Sequence, residues 1–270
     1  MIVMGKNKIK AIAFDMDGTL LTDAKEISQR TRESFKALKE LGLYLILSTG
    51  RSFEALEPYK IFLDLQYPVI CYNGARIVSG NGKIIKDHLL DDRISKYIIN
   101  FARKEKVHIQ IYRKGKLLFE QRTPEAEFYE NHVNLKGDII NYDKLDSLGL
   151  TKIMYLGDHE YLITLADAIK EKFGKDLSVM FSNQMFLEFM PGGVSKGNAI
   201  SELADYLGIG LESVMAFGDG ENDISMIKKV GMGIAMSNAS KEVKESADLV
   251  TLSNNEDGVA EVLEDYFGLK

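Results

Sequence analysis

The 270-residue chain holds a single cysteine, Cys71. No internal disulfide can form, so a reducing cytoplasm is the expected compartment. Cys71 lies in the apolar run Val69-Ile70-Cys71-Tyr72 and reads as core rather than as a nucleophile. No apolar run is long enough to span a bilayer. The opening residues MIVMGKNK carry neither a long apolar region nor a cleavage signature, so no signal peptide is expected. Basic charge is in deficit: 34 Lys and Arg stand against 40 Asp and Glu, a net charge of −6. That balance argues against nucleic acid or an anionic membrane as the main partner, while leaving local basic patches open. The phosphate loop GxxxxGK[ST] is missing, and Gly231-Met232-Gly233 lacks the third glycine of a dinucleotide fingerprint. There is no internal repeat and no low-complexity segment.

With 45% hydrophobic and 27% charged residues the composition is that of an ordinary globular protein, long enough for one large or two medium domains. Apolar strands at Ile9–Phe14, Leu43–Leu47 and Val69–Tyr72 alternate with a helix at Ser28–Leu41 and a second helix disturbed near Pro58. Phe35, Leu38 and Leu41 should share the buried face of the first helix, and Gly42 should stop it. Buried, non-alternating strands separated by helices predict a parallel sheet. The pattern changes after Arg76. Turn signals at Ser79-Gly80-Asn81-Gly82 and Arg113-Lys114-Gly115-Lys116 predict two hairpins, among helices near Asp91–Lys106, Pro124–Leu135 and His159–Phe173. Beyond Pro191-Gly192-Gly193 the strand–helix alternation resumes. The fold expected is α/β: one doubly wound parallel-sheet domain, residues 1–79 plus 191–270, interrupted by an inserted α+β domain, residues 80–190.

Four places in the split domain carry polar chemistry. The first strand ends in Asp15 and Asp17, followed by Gly18. The second ends in Thr49, Gly50 and Arg51; Lys196 opens a helix after Ser195; and Val214–Phe217 leads into Asp219, Asn222 and Asp223. Each has a bland account as a turn, a helix cap or a solvated charge. A calcium loop does not fit the first, because its glycine would stand at position six rather than four. Chance would have to gather these residue types at all four places, each next to a strand end where α/β proteins build sites. The types suit phosphoryl chemistry. Asp15 can be a nucleophile and metal ligand, and Asp17 an acid/base beside it. Asp15 and Asp219 are hard oxygen ligands for Mg²⁺, while Lys196 and the Thr49 hydroxyl can bind phosphate oxygens.

DMDGTLL, STGR, GGVSKG and GDGENDISM resemble, in order, the four motifs of the haloacid dehalogenase superfamily. CYNGARI, GIAMSNA and ADLVTLSNNEDGVA add a resemblance to its Cof-type phosphatases, which carry a C2-type cap between motifs two and three. Ser237 departs from the glycine usual before Asn238-Ala239. Only a few dozen residues separate Asp17 from Thr49, too few for a large cap there. The resemblance implies a Rossmann-like core and an aspartyl-phosphate formed on Asp15. Asp17 would protonate the leaving oxygen and then activate water. Mg²⁺ would be held by the Asp15 carboxylate, the Asp17 carbonyl and Asp219. The Met16 backbone, Thr49, Gly50, Lys196 and Asn222 would hold the phosphate, with Asp223 steering Lys196 or a metal-bound water. Arg51 has a surface or cap-facing reading, and Asn73 and Gly74 are candidate substrate contacts.

These readings predict a monomeric phosphatase acting on a small phosphorylated metabolite, a sugar phosphate above all. The cap would close over the site and select the leaving group. The basic stretch Arg103 to Lys116 is read as a solvated helix end and hairpin tip, with attraction of anionic substrates as the alternative. A phosphomutase or phosphotransferase uses the same groups with a hydroxyl in place of water. A phospho-acceptor switch shares the Asp, Thr and Lys, but does not need the acid/base Asp17 or a cap of about a hundred residues. An inactive metabolite-binding protein is disfavoured because every catalytic position is intact.

Overall fold

A computed structural model describes residues 9–145 and 147–269. The first eight residues, in which no signal segment was read, lie outside the described residues. Strand β1 (Ala11–Phe14) is four apolar residues, all buried, as a central strand of a parallel sheet requires. Helix α1 (Gln29–Glu40) starts where the Ser28 side chain accepts a hydrogen bond from the Thr31 N–H. Its buried stripe is Thr31, Ser34, Phe35 and Leu38. Phe35 lies 4.7 Å from the Phe14 ring, which fixes the helix on the sheet. Leu41 does not join that stripe; it is 59% exposed. It caps the helix, where Gly42 at φ +76° has begun the turn into β2 (Tyr44–Leu47), so the chain is already leaving the packed face.

Helix α2 (Phe53–Phe62) continues through Pro58, so the disturbance expected there does not end the helix. The cost is one backbone hydrogen bond, the one a non-proline N–H would donate to Glu54. Strands β3 (Val69–Cys71), β4 (Arg76–Val78) and β5 (Ile84–Asp87) form a three-stranded sheet. A parallel bridge between Ser48 and Ile70 joins β3 to the end of β2.

The next segment contains α3 (Asp92–Glu105), β6 (His108–Arg113), β7 (Lys116–Phe119), α4 (Pro124–Val133), β8 (Asp138–Ile139), β9 (Leu150–Leu156), α5 (His159–Phe173), β10 (Leu177–Asn183) and β11 (Phe186–Pro191). Its six strands form one sheet in the order β10-β11-β9-β6-β7-β8. The β6–β7 hairpin turns on Lys114 and Gly115, both at positive φ, as a tight right-twisted hairpin demands. Asp91 and Asp158 cap α3 and α5. The apolar stripes of these helices, Ile94, Ile98 and Ile99 on one and Leu162, Leu165 and Ile169 on the other, join one core with Ile111, Ile153 and Phe189 of the sheet. The lysines of the basic stretch, Lys104, Lys106, Lys114 and Lys116, are exposed, as a solvated helix end and hairpin tip would be, while its two arginines have internal partners. Arg103 forks onto Glu120 at 2.5 and 2.9 Å and reaches Asp143 at 3.1 Å, and Arg113 donates to the Leu148 carbonyl.

The chain then adds α6 (Lys196–Leu207), β12 (Val214–Gly218), α7 (Ile224–Ile227), β13 (Met232–Ala235), α8 (Lys241–Glu245), β14 (Leu249–Val250) and α9 (Gly258–Phe267). Ala199, Ile200, Leu203 and Ala204 of α6 are buried, as the spacing predicts. The parallel sheet has the order β14-β13-β12-β1-β2. β1 is flanked by β2 on one side and β12 on the other, with Phe14 paired to Phe217. The chain winds outward from β1 in both directions, so the carboxyl ends of β1 and β12 flank the point where the winding reverses. Contacts divide the molecule into two compact units. One runs up to Thr49, through Glu57–Ile85 and on from Ser195; the other is Gly50–Leu56 with Lys86–Val194. The β4–β5 hairpin as far as Ile85 thus groups with the parallel sheet.

Glu130 on α4 is buried and carries three partners: a two-pronged Arg122, Lys136 and the Gly137 N–H. Burial pushes its carboxyl up, but these donors outweigh it and bring the pKa down to about 2. Its ionised form therefore stabilises the fold above the unfolded pKa, and that contribution is lost as pH falls toward 2. Glu130→Gln should destabilise by about 1–3 kcal/mol at pH 7. Urea midpoints measured from pH 7 to pH 3 should show the difference shrinking below pH 4.5, the ordinary glutamate value.

Candidate active site

Asp15 is the first residue after β1, and its N–H still bonds the Phe217 carbonyl, so the sheet itself aims it. The Asp15 residue is only 6% exposed. Lys196, the first residue of α6, is 1% exposed, and its ammonium touches two carboxylates at once: Asp15 Oδ1 and Asp223 Oδ1, each at 2.5 Å. The other Asp223 oxygen accepts from the Asp219 and Gly220 N–H groups at 3.0 Å. Asp223 is thus tied up as a brace for the loop after β12. Burial, then the Asp223 charge, pushes Asp15 well above the usual carboxylate value, with Lys196 opposing. Burial pulls Lys196 down, but Asp15 and Asp223 more than reverse this and leave it above its ordinary value.

Asp219, at the end of β12, accepts a hydrogen bond from the Thr19 hydroxyl at 2.7 Å. Burial first, then the Asp223 charge, pushes it up to about 6, with Thr19 opposing. One carboxylate oxygen from each of Asp15, Asp219 and Asp223 lies within 4.8 Å of the other two. Three acids facing one ammonium leave an excess of negative charge, which a divalent cation offsets. The donors are all oxygens, the set preferred by Mg²⁺, so the residues fit that ion. Gly18 permits the close approach. Its φ is +82°, and a Cβ there would stand 2.3 Å from Asp219 Oδ2.

The remaining predicted residues fall as follows. Asp17 is about half exposed and pairs with Lys25 at 2.9 Å. Met16 is buried, and its carbonyl accepts from the Leu21 N–H. Thr49 is buried at the end of β2; its N–H bonds Ile70 and its carbonyl accepts from Asn73. Asn73 accepts from the Asn222 side chain at 2.9 Å, so these two residues from different strand ends meet. Gly74 has a packing reason of its own: at φ +108°, a Cβ would lie 2.4 Å from the Ser195 carbonyl. The Gly50 carbonyl is 3.4 Å from Lys152, within the inserted unit. Thr19, Lys25 and Asn238 were missed. Asn238 donates to the Gly18 carbonyl at 2.8 Å, and its signal lay in the GIAMSNA stretch.

The crowding at Gly18 gives a direct comparison with Gly42, which has a similar φ of +76° but nothing within 4 Å of a Cβ. Gly18→Ala should cost about 1–3 kcal/mol and weaken divalent-cation binding. Gly42→Ala should cost about 1 kcal/mol and leave cation binding intact. Urea unfolding and calorimetric titration with Mg²⁺ measure both.

Residues 12–263 match the family model for haloacid dehalogenase-like hydrolases. A putative phosphatase from Haemophilus influenzae is 33% identical over 259 residues, covering 96% of this chain and 98% of its own. A 5-amino-6-(5-phospho-D-ribitylamino)uracil phosphatase from Bacillus subtilis is 30% identical, over 94% of each chain. Among solved structures, a haloacid dehalogenase-like hydrolase from Bacteroides thetaiotaomicron superposes with a TM-score of 0.88 at 32% identity, covering 96% of this chain and 100% of that one. The chain belongs to the haloacid dehalogenase-like hydrolases and is a phosphoric monoester hydrolase.

Proposed function

We propose that this protein is a Mg²⁺-dependent phosphatase that hydrolyses a small phosphorylated metabolite, a sugar phosphate first among the candidates, through an aspartyl-phosphate on Asp15. The observation that carries the reading is the buried Asp15 carboxylate, held by Lys196 at 2.5 Å beside the Asp219 and Asp223 carboxylates. The names of relatives support the substrate class. One is the Bacillus subtilis phosphatase above, and another is an HMP-PP phosphatase from Enterobacter, 30% identical over 227 residues.

In this reading an Asp15 oxygen attacks phosphorus while the bond to the leaving oxygen breaks, and Asp17 gives that oxygen its proton. Water then attacks the acyl phosphate, Asp17 takes the proton, and inorganic phosphate leaves with Asp15 regenerated. Lys196, the Thr49 hydroxyl, the Asn222 amide and the Met16 and Gly50 backbone are assigned to the phosphate oxygens. Their positive charge and donors offset the charge that builds in the transition state. Asp15, the Asp17 carbonyl and Asp219 are assigned to the cation, which when bound supplies charge neutralisation at the phosphoryl group. Asp223 orients Lys196. Asn73 and Gly74 are assigned to substrate contact, and Arg51 keeps its reading as a surface or cap-facing residue. The inserted unit is assigned the part of a C2-type cap that selects the leaving group. No described helix is long and apolar enough to cross a membrane. The cytoplasm as the place of action, which rests on the presence of one cysteine, Cys71, in the sequence, and a monomeric state belong to the same proposal.

Phosphate release from an aryl phosphate and a panel of sugar phosphates tests the proposal. Turnover should require Mg²⁺ and vanish with a chelator. Asp15→Asn should abolish it, and Asp17→Asn should lower kcat by about 10²–10⁴-fold. Turnover that survives Asp15→Asn would sink the reading.

A further inference from the structure

Three asparagines outside the proposed chemistry are bonded to the loop that follows Asp17. Asn238 stands in the turn after β13. Its Nδ2 donates to the Gly18 carbonyl at 2.8 Å and to Asp219 Oδ2 at 3.4 Å. Its Oδ1 accepts from the Asn254 N–H at 3.2 Å. That backbone donor decides which end of the carboxamide is oxygen, so the amide nitrogen must face Gly18 and Asp219. Asn254 is itself buried, at 7% exposure. Its Nδ2 donates to the Leu21 carbonyl at 2.9 Å and to Asp23 Oδ1 at 3.1 Å. Asn255 closes the far side, donating to Asp23 Oδ2 at 2.9 Å and accepting from the Asp23 N–H at 3.0 Å.

The loop is therefore gripped at Gly18 and at Leu21 by the side chains of two residues, one of which is bonded to the backbone N–H of the other. Asn238 is exposed, so it is not there to fill the core. Its carboxamide bridges a backbone carbonyl next to Asp17 and a carboxylate at the end of β12. A donor that serves two acceptors fixes the distance between them. The Thr19 hydroxyl makes a second tie across the same gap, at 2.7 Å.

We propose that Asn238 is a positioning residue that sets the loop carrying Asp17 against the Asp219 carboxylate, with Asn254 holding Asn238 in register. The inference rests on the reading that the Asp17 carbonyl and Asp219 hold the cation. Asn238 acts through both of these groups without touching the substrate.

Three variants read this out: Asn238→Ala, Asn238→Asp and Asn254→Ala. Asn238→Asp has the same shape, but turns a carboxylate oxygen toward the Gly18 carbonyl and Asp219. For each, calorimetric titration gives the Mg²⁺ affinity, steady-state kinetics on an aryl phosphate at saturating Mg²⁺ give kcat and KM, and metal-free melting gives stability. Asn238→Ala should weaken Mg²⁺ binding about 10-fold or more and lower kcat, with KM within about twofold. Asn238→Asp should do no better than alanine, and Asn254→Ala should show a smaller loss of the same kind. Unchanged Mg²⁺ affinity and kcat in Asn238→Ala would overturn the proposal. So would a loss confined to metal-free melting, or tighter Mg²⁺ binding by Asn238→Asp. A parent protein that neither binds Mg²⁺ nor turns over the ester would overturn the functional reading together with this one; a parent active with Mg²⁺ isolates the failure to Asn238.

Discussion

The ammonium of Lys196 is the pivot of this molecule. It lies buried between Asp15 and Asp223, at 2.5 Å from each. Three carboxylates gathered in low dielectric repel one another, and neither hydrophobic packing nor sheet hydrogen bonds offset that repulsion. The surrounding backbone is shaped to bring this one cation in. Ser195 caps α6 so that Lys196 stands at its first turn, and Gly74 leaves room for the Ser195 carbonyl. Asp223 turns its second oxygen to the loop amides after β12, so the group that balances Lys196 also shapes the loop bearing Asp219. A buried network of this kind contributes specificity of arrangement more than stability.

Local and tertiary information part company at this site. The parallel strands, α6 and the hairpin turns follow from residue pattern, because burial on both faces leaves a continuous apolar run and a tight hairpin demands positive φ. Asp15, Lys196, Asp219 and Asp223 were legible because they stand next to strand ends in short motifs. Their meeting was not legible from composition or periodicity, since register between β1 and β12 is set by sheet pairing across the whole chain. Leu41 shows the limit on helices: periodicity places it on the buried stripe, yet the helix ends one residue earlier. Pro58 shows another, because a proline forfeits one hydrogen bond and the helix absorbs it.

Thr19, Lys25 and Asn238 were passed over for a related reason. Each bonds a group already singled out, Asp219, Asp17 or Gly18, and a residue that works through another leaves no chemical signature of its own. Glu130 and Arg103 make the converse point. Charged residues such as these invite a functional reading, yet their partners are internal ones: Glu130 ties α4 to Arg122, and Arg103 ties α3 to Glu120 and Asp143.

The pairing of β1 with β12 also constrains the order in which the chain can acquire structure. Thr19 and Asp219 touch across 200 residues of sequence, and Lys196 and Asp15 across 181. During synthesis from the amino end, β1 and β2 emerge with one flank of β1 still open, and they stay so while the whole inserted segment is made. The strands of that segment all lie between His108 and Pro191, so its loops are shorter and close at lower entropic cost. The proposed site therefore cannot assemble until β12 and the Asp219 loop have been made, and a ribosome stalled before β12 holds a chain in which β1 lacks that partner strand.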